Sequence, residues 1–435
     1  MKTKEMLLAL TVFMIGSALH AQEQKPLTLK EAIELSLGNS HQLKNSQAKI
    51  DEATAAIKEA TQGRGPSAKV SGSYLRLNSA NIDLKQQSDS SSGGGPKVNS
   101  AMYGLVNVSL PIYAGGKIRY GIESSRYLAE AAKLDADNQK DEVVQNTIEA
   151  FINLYKAKSA VDLVKDNLAQ NQQRVKDFSN LEKNGLLARN DLLKAELQAS
   201  NTELTLLDVE NNWALANVNM NLMLGLPTQT QLVPDTTIAE VTKDIKPLDE
   251  YVQGARTGRK DIASLSLQRK ASETGVKIVK ADQLPTVALS GGYAAINVPK
   301  TLTVTNAFNL GVGVSYDIAS LWKNKAKVQQ AEARTRQLVE TEALVGDQVV
   351  LQVNQSYLNL LSSQKKIEVY SKAVEQAQEN YRITKNKYDN ALATTTDLLD
   401  ADVAQLQAKL NYVFAKADAV VAYDKLLQTA GIPVQ

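Results

Sequence analysis

The 435-residue chain has no cysteine and only two histidines, His20 and His41. A thiol nucleophile is therefore excluded, and a multi-histidine metal site lacks its ligands. The phosphate loop, the dinucleotide fingerprint and the nucleophile elbow are all missing. The Gly-Gly-Lys of residues 115–117 has neither the spacing of a phosphate loop nor a following serine or threonine. Only Asp, Glu and Lys are left for catalysis, so no catalytic residue, cofactor or metal is assigned and the chain does not read as an enzyme. The 49 basic and 47 acidic side chains nearly cancel, which removes the charge excess expected of a nucleic-acid binder. Long apolar runs are missing as well. The longest near the start, residues 6–19, follows Lys2 and Lys4 and is shorter than the 18 or so residues of a membrane helix. It reads as a secretion signal over residues 1–21, cut after Ala21, although Leu19 is larger than the usual small residue before such a cut. Export without a transmembrane helix is expected, and without cysteine there is no lipid anchor on an N-terminal Cys.

What the chain does have is an echo. Residues 184–198 (NGLLARNDLLKAELQ) and 390–405 (NALATTTDLLDADVAQ) each put a polar break between helical patterns and resume with Asp-Leu-Leu, 206 positions apart. At the same offset VSLPIYAGGKIR (108–119) faces VSYDIASLWKNK (314–325), and Gly225-Leu226-Pro227 faces Gly431-Ile432-Pro433. GPSAKVSGSY (65–74) matches LPTVALSGGY (284–293) at an offset of 219, because the first copy carries a polar loop-like insert at 78–97. The chain is a tandem duplication. The first repeat is assigned to 22–227, with strands near 66–78 and 101–113, a long helix at 117–183 and a turn at 184–190. A linking equatorial segment occupies 228–248. The second repeat covers 249–435, with strands near 285–296 and 305–317, a long helix at 320–389 and a turn at 390–396.

The long helices set the scale. Residues 117–183 hold no proline and one glycine, Gly121, and residues 320–389 likewise hold only Gly346. A helix of that length runs about 100 Å, whereas a compact globule of this chain would have a radius of gyration of about 22 Å. A rod or part of a tube is predicted. The shorter helical segments, 28–62 and 191–224, together nearly equal one long helix, so two stacked in line supply its antiparallel partner. Val161, Val164, Leu168, Asn171, Val175 and Phe178 make a narrow three-four seam, and so do Ile367, Tyr370, Val374, Ala377, Tyr381 and Thr384.

The strands alternate. Val287, Leu289, Gly291 and Tyr293 share one face while Ala288, Ser290 and Gly292 share the other; Ala68, Val70, Gly72 and Tyr74 alternate with Lys69, Ser71 and Ser73. Phe308, Leu310, Val312, Val314 and Tyr316 alternate with Asn309, Gly311, Gly313 and Ser315, while Leu105 breaks the rule. Strands of about ten residues with this pattern suit lipid on one side and water on the other. A half-buried soluble sheet has the same pattern. Four strands cannot close a barrel, so the membrane reading requires several copies of the chain.

With these features in register, the sequence resembles the TolC-like outer-membrane efflux proteins. The resemblance spans the mature chain and rests on the duplicated order, the paired strand starts (Pro66 and Ser71; Pro285 and Ser290), LPIYAGGK and the two Asp-Leu-Leu turns. It implies a mainly helical homotrimer. Four strands per chain would make a twelve-stranded outer-membrane β-barrel, continued by a long coiled-coil barrel into the periplasm of a Gram-negative bacterium. The implied role is the exit duct of a tripartite efflux or type I secretion system, with a periplasmic adaptor, an inner-membrane pump of RND or ABC type and outer-membrane lipid as partners, and no nucleic acid.

The resemblance also assigns residues. The adaptor-contacting tip matches Gly185 and Leu186, and in the second copy Ala391 and Leu392, where alanine departs from the family's glycine; Gly185 also suits a plain helix stop. Asp397 and Asp400 match carboxylate rings at a pore constriction, although Asp397 equally suits a helix start, as does its counterpart Asp191. Tyr388 and Asp191 match a tip-closing pair whose companion basic residue is replaced by Ala393. Tyr74, Tyr113, Tyr293, Tyr316 and Trp322 are candidates for membrane-interface aromatics, with a packed strand–helix joint as the other role for Tyr113 and Trp322. Two rivals remain: an exported coiled-coil scaffold or adaptor without a pore, and an enzyme built on Asp and Glu. The cargo, whether drug, metal or protein, stays open.

Overall fold

The computed structural model describes residues 24–81, 97–235, 245–299 and 301–432. The expected signal segment 1–21, most of the 78–97 insert, Pro433 and residues 236–244 of the linking segment lie outside the described residues. In chain order the elements are β1 (Gln24–Leu27), α1 (Leu29–Asn39), α2 (His41–Gln62), β2 (Ser67–Asn81), β3 (Lys97–Tyr113), α3 (Lys117–Lys183), α4 (Arg189–Leu224) and β4 (Gln231–Pro234). They continue as α5 (Leu248–Gly258), α6 (Lys260–Ala281), β5 (Thr286–Val298), β6 (Leu302–Ser315), α7 (Ser320–Asp389) and α8 (Thr395–Thr429). The long α3 and α7 contain 67 and 70 residues. Their lack of proline and near lack of glycine leave nothing to interrupt the backbone ladder. The mainly helical, duplicated fold expected from the sequence is present. None of the described helices is long and apolar enough to cross a membrane.

One expectation fails. The segment 28–62 is not one helix but two, 11 and 22 residues long, and the second repeat breaks in the same way into α5 and α6, also 11 and 22 residues long. Single extended residues, Ser40 (ψ 116°) and Arg259 (ψ 126°), separate the pairs. Side-chain bonds, local and long-range, hold both breaks. The Asn39 side chain donates to the Leu224 carbonyl at 2.7 Å. Arg259 donates to both oxygens of Asp261 at 3.0 and 2.6 Å and to Gln352 at 3.0 Å. A second feature went unforeseen: β1 and β4 pair in parallel, Gln24 opposite Gln231 through Leu27 opposite Pro234.

The chain forms two compact units, one built from residues up to 47, 135–261 and from 345 onward, the other from 48–134 and 262–344. The first has a core of Leu27, Ile148, Phe151, Ile152, Leu154, Met220, Leu224 and Leu232. Asn217 acts as a clip in it, donating to the Thr230 carbonyl at 2.7 Å and accepting from the Leu232 N–H at 2.8 Å, so the edge of β4 is satisfied by a side chain. The α3 seam is closed: Val161, Val164, Leu168, Asn171 and Phe178 are buried, while its α7 counterpart from Ile367 to Thr384 is half-buried throughout.

The second unit holds the sheet, ordered β2-β3-β5-β6 and antiparallel throughout. Its register lines up like residues across all four strands. Val70, Val106, Tyr293 and Phe308 form one row, and Ala68, Val108, Gly291 and Leu310 the next. On the opposite face Lys69, Asn107, Gly292 and Asn309 form a polar row. A side chain at Gly292 would meet the Val106 carbonyl at 2.7 Å and the Asn107 and Asn309 amide oxygens at 3.2 Å, so only glycine fits between those two asparagines.

Candidate functional site: the paired helical turns and the sheet face

Both turns are built alike. At the end of α3 the Gly185 N–H donates to the Glu182 carbonyl at 2.9 Å and the Leu186 N–H to Leu181 at 2.8 Å; at the end of α7 Ala391 donates to Tyr388 at 2.9 Å and Leu392 to Lys387 at 2.7 Å. These are two Schellman motifs, in which the residue after the helix takes the left-handed conformation. Gly185 has φ 73° and Ala391 has φ 58°. Alanine there carries the side-chain penalty that glycine escapes, roughly 1 kcal/mol. Ala391→Gly is therefore expected to stabilise the second turn by about 1 kcal/mol and Gly185→Ala to destabilise the first by a similar amount. Amide exchange rates in the two turns, slowed in one variant and accelerated in the other, check both signs. Leu186 and Leu392, at the turn apices, are 73% and 76% exposed.

The residues beside the turns divide into two roles. Asp397 belongs to a capping box: its backbone N–H donates to the Thr394 hydroxyl at 3.1 Å, and its carboxylate accepts from the Thr394 N–H at 2.9 Å. The Thr394 hydroxyl and then its backbone N–H hold the Asp397 carboxyl below the usual range. Asp400 is exposed. Tyr388 stacks on Phe178 with ring centroids 5.7 Å apart, and Asp191 pairs with Lys194 at 3.5 Å, so no direct Tyr388–Asp191 bond appears among the described residues. A basic link across the repeats comes instead from Lys194, which donates to the Thr396 hydroxyl at 3.1 Å. Phe178, Leu192, Ala195 and Leu398 form a small apolar plug behind the turns.

Deeper along the same four helices lies a polar group that the sequence reading passed over. Arg174 donates to Asp402 at 3.2 Å, to Asn171 at 2.8 Å and to the Tyr381 hydroxyl at 3.1 Å. Asn167 also donates to Asp402 at 3.2 Å, and Asn171 to Asn167 and Thr202 at 3.0 Å each. Burial pulls the Arg174 guanidinium down, but Asp402 and Tyr381 outweigh it and its pKa lies above the ordinary value. The one available signal was Asn171, a polar residue at a seam position.

On the sheet, the apolar face is bare. Val70, Phe308, Leu310, Val312 and Val314 are 69–80% exposed. Tyr74, Tyr113, Tyr316 and Trp322 are also exposed; Tyr293 is half-buried, packs on Phe308 at 5.0 Å and accepts from the Asn306 N–H at 3.4 Å. A soluble sheet would have to cover so much aligned apolar surface. The helices expose apolar stripes too: Leu193, Leu197, Leu204, Leu207, Leu215, Val218 and Leu222 on α4, and Leu351, Leu358, Leu361, Val369 and Ile383 on α7. Both follow three-four spacing with polar interruptions.

Comparison with known proteins gives a consistent picture. The family described as Outer membrane efflux protein matches residues 32–226 and 251–431. The outer membrane efflux protein BepC of Brucella suis biovar 1 is 22% identical over 437 residues, which is 98% of this chain and 90% of its own length. Among solved structures, the outer membrane protein VceC of Vibrio cholerae superposes with a TM-score of 0.74 at 19% identity, over 94% of this chain and 97% of its own. The CmeC outer membrane channel of Campylobacter jejuni superposes with a TM-score of 0.78 at 15% identity, over 93% and 85% respectively.

Proposed function

Because the chain belongs to the outer membrane efflux protein family, we propose that it is the passive exit duct of a tripartite export system, gated where its helical turns meet an adaptor. Membership places it in the outer membrane as an efflux channel and not an enzyme. The finer reading is ours. Three copies join, each giving four strands to a twelve-stranded barrel. A periplasmic adaptor docks on the turns, and an RND- or ABC-type pump delivers the cargo.

The observation that carries this reading is the sheet: a four-stranded order with β2 and β6 outermost and one face of aligned, exposed aliphatic and aromatic side chains. In lipid an open strand edge leaves backbone N–H and C=O groups without partners, so the sheet must be continued by other copies until it closes. Twelve strands leave a water-filled bore, which suits the polar row of Lys69, Asn107 and Asn309. The exposed α4 and α7 stripes support contacts between copies of the helical region. Gly185, Leu186, Ala391 and Leu392 give each chain two similar turns for an adaptor, and Tyr74, Tyr113, Tyr316 and Trp322 supply anchors for the membrane interface.

Asp400 is the better candidate for a carboxylate ring in the pore, since it is exposed while Asp397 is engaged with Thr394. Three inward carboxylates make a negative constriction that attracts cations and resists anions. In planar bilayers the purified protein should show a small, cation-preferring resting conductance. Asp400→Ala should enlarge it and weaken the cation preference, and adding Asp397→Ala should enlarge it further while loosening the start of α8. A parent protein that inserts yet conducts under no voltage, with the double variant equally silent, sinks the duct reading.

A further inference from the structure

A buried ion pair is an odd way to hold a coiled coil together. Taking two charges out of water costs several kcal/mol per ion, and apolar residues of similar volume usually serve stability as well or better. Asp402 nevertheless has a side chain that is 0% exposed and Arg174 one that is 10% exposed. The Asp402 Oδ1 atom accepts no hydrogen bond among the described residues, so the pair is only partly compensated. Stability alone does not call for such a group.

The duplication supplies an internal control. At the 206 offset, Asn167, Asn171 and Thr202 correspond to Ala373, Ala377 and Ala408, Tyr381 corresponds to Val175, Arg174 corresponds to Asn380 and Asp402 to Glu196. The neutral members of the group are thus replaced by alanine or valine in the other repeat, while the charged pair is replaced by Asn380 and Glu196, so an acid is kept but its arginine is not and no arginine–carboxylate pair forms at these positions. The polar group also has a direction. Its charged bonds run from α3 of the first repeat to α7 and α8 of the second: Arg174 to Asp402, Arg174 to Tyr381, and Asn167 to Asp402. Asn171 adds Thr202 of α4, so all four helices that end in the paired turns are tied at one level. Arg174 precedes the end of α3 by nine residues, about 14 Å of helix.

We propose that Arg174 and Asp402 are positioning residues that latch the second-repeat hairpin, α7–α8, to the first-repeat hairpin, α3–α4, and so set the resting spacing of the two turns. On the duct reading, from which this takes its functional meaning, the latch biases the gate toward closure. A partly compensated buried pair is suited to that task, because it holds one register sharply while packed in place and holds no intermediate spacing once its partners separate.

The lack of native cysteine makes the test clean. Leu186→Cys with Leu392→Cys, both at exposed apices, takes spin labels only at the two turns of one chain, and labelled chains diluted into unlabelled protein report the spacing within that chain. The parent latch should give one narrow distance distribution. Asp402→Asn keeps the shape but leaves Arg174 without its countercharge, and should broaden the distribution and shift it longer. The reversed pair R174D with D402R should narrow it again, a rescue that a merely structural role would not produce. A folded D402N protein with the parent distribution overturns the latch. If D402N does not fold, Tyr381→Phe, which removes a single bond, must broaden the distribution, or the latch is overturned. Conductance is the separate arm. Broadened spacing while neither D402N nor the Asp397/Asp400 double variant conducts defeats the duct reading and leaves the latch standing, whereas a conducting parent with unchanged spacing in D402N defeats the latch alone.

Discussion

Leu310→Arg should prevent the folded protein from inserting into lipid vesicles, while Asn309→Arg, one residue away, should insert nearly as the parent does. Leu310 lies near the middle of β6 and is 80% exposed, in a row with Ala68, Val108 and Gly291. Asn309 points to the other face, in the row of Lys69, Asn107 and Gly292. An arginine near the bilayer midplane of a transmembrane barrel costs about 2–4 kcal/mol per substituted strand, and an assembly of identical chains incurs that cost in every copy. A lumen-facing arginine meets water and leaves insertion largely intact. Urea titration of vesicle-bound protein measures the cost, and heat-dependent gel mobility scores the inserted fraction. Equal insertion of the two variants would mean that the apolar face does not meet lipid, and the membrane reading of the sheet would fail with it.

How much of this was visible in the residues follows from where each element draws its stability. The strand faces were legible because alternation is local: the rows of Val70, Val106, Tyr293 and Phe308 repeat a period-two pattern already present in each strand, and pairing only aligns it. The turns were legible for the same reason, since a Schellman motif depends on one left-handed residue and bonds within six positions. The breaks at Ser40 and Arg259 were not: 28–62 reads as one continuous helix, and no bounds are assigned to the matching stretch of the second repeat. What opens the ladder there is partly distant, the Leu224 carbonyl for Asn39 and Gln352 for Arg259, and partly local, the Ser40 hydroxyl accepting from the Leu43 N–H and Asp261 accepting from Arg259. Gly38 and Gly258, one or two residues ahead of each break, were the available hint. The β1–β4 pair was missed because four-residue strands carry too little pattern to register. Among the site residues, the helix-start role of Asp397 was legible from Thr394 three residues before it. The Arg174–Asp402 pair was not, since 228 positions separate its members.

The other large effect concerns association. Leu204→Asp combined with Leu215→Asp should leave the chain helical but convert the proposed trimer to monomers. These two side chains are 61% and 68% exposed in the isolated chain, so they contribute little to its own core, and their loss should cost its fold little. On the proposed trimer, the α4 stripe would meet the exposed α7 stripe of Leu351, Leu358, Val369 and Ile383 on the next copy. The two surfaces differ, so the contact is head-to-tail, and a rotation that returns to its start makes a ring. Burying a leucine fully gains about 1.5–3 kcal/mol, and a carboxylate forced into the same seam must be desolvated besides, so two replacements per contact should remove most of its stabilisation. Mass measurement in detergent reads the oligomer and far-ultraviolet circular dichroism the helicity. Monomers with parent-like helicity are the expected pair of results. Trimers that survive both substitutions would show that the copies meet elsewhere, and the lipid-facing argument would then have to account for closure through β2 and β6 alone.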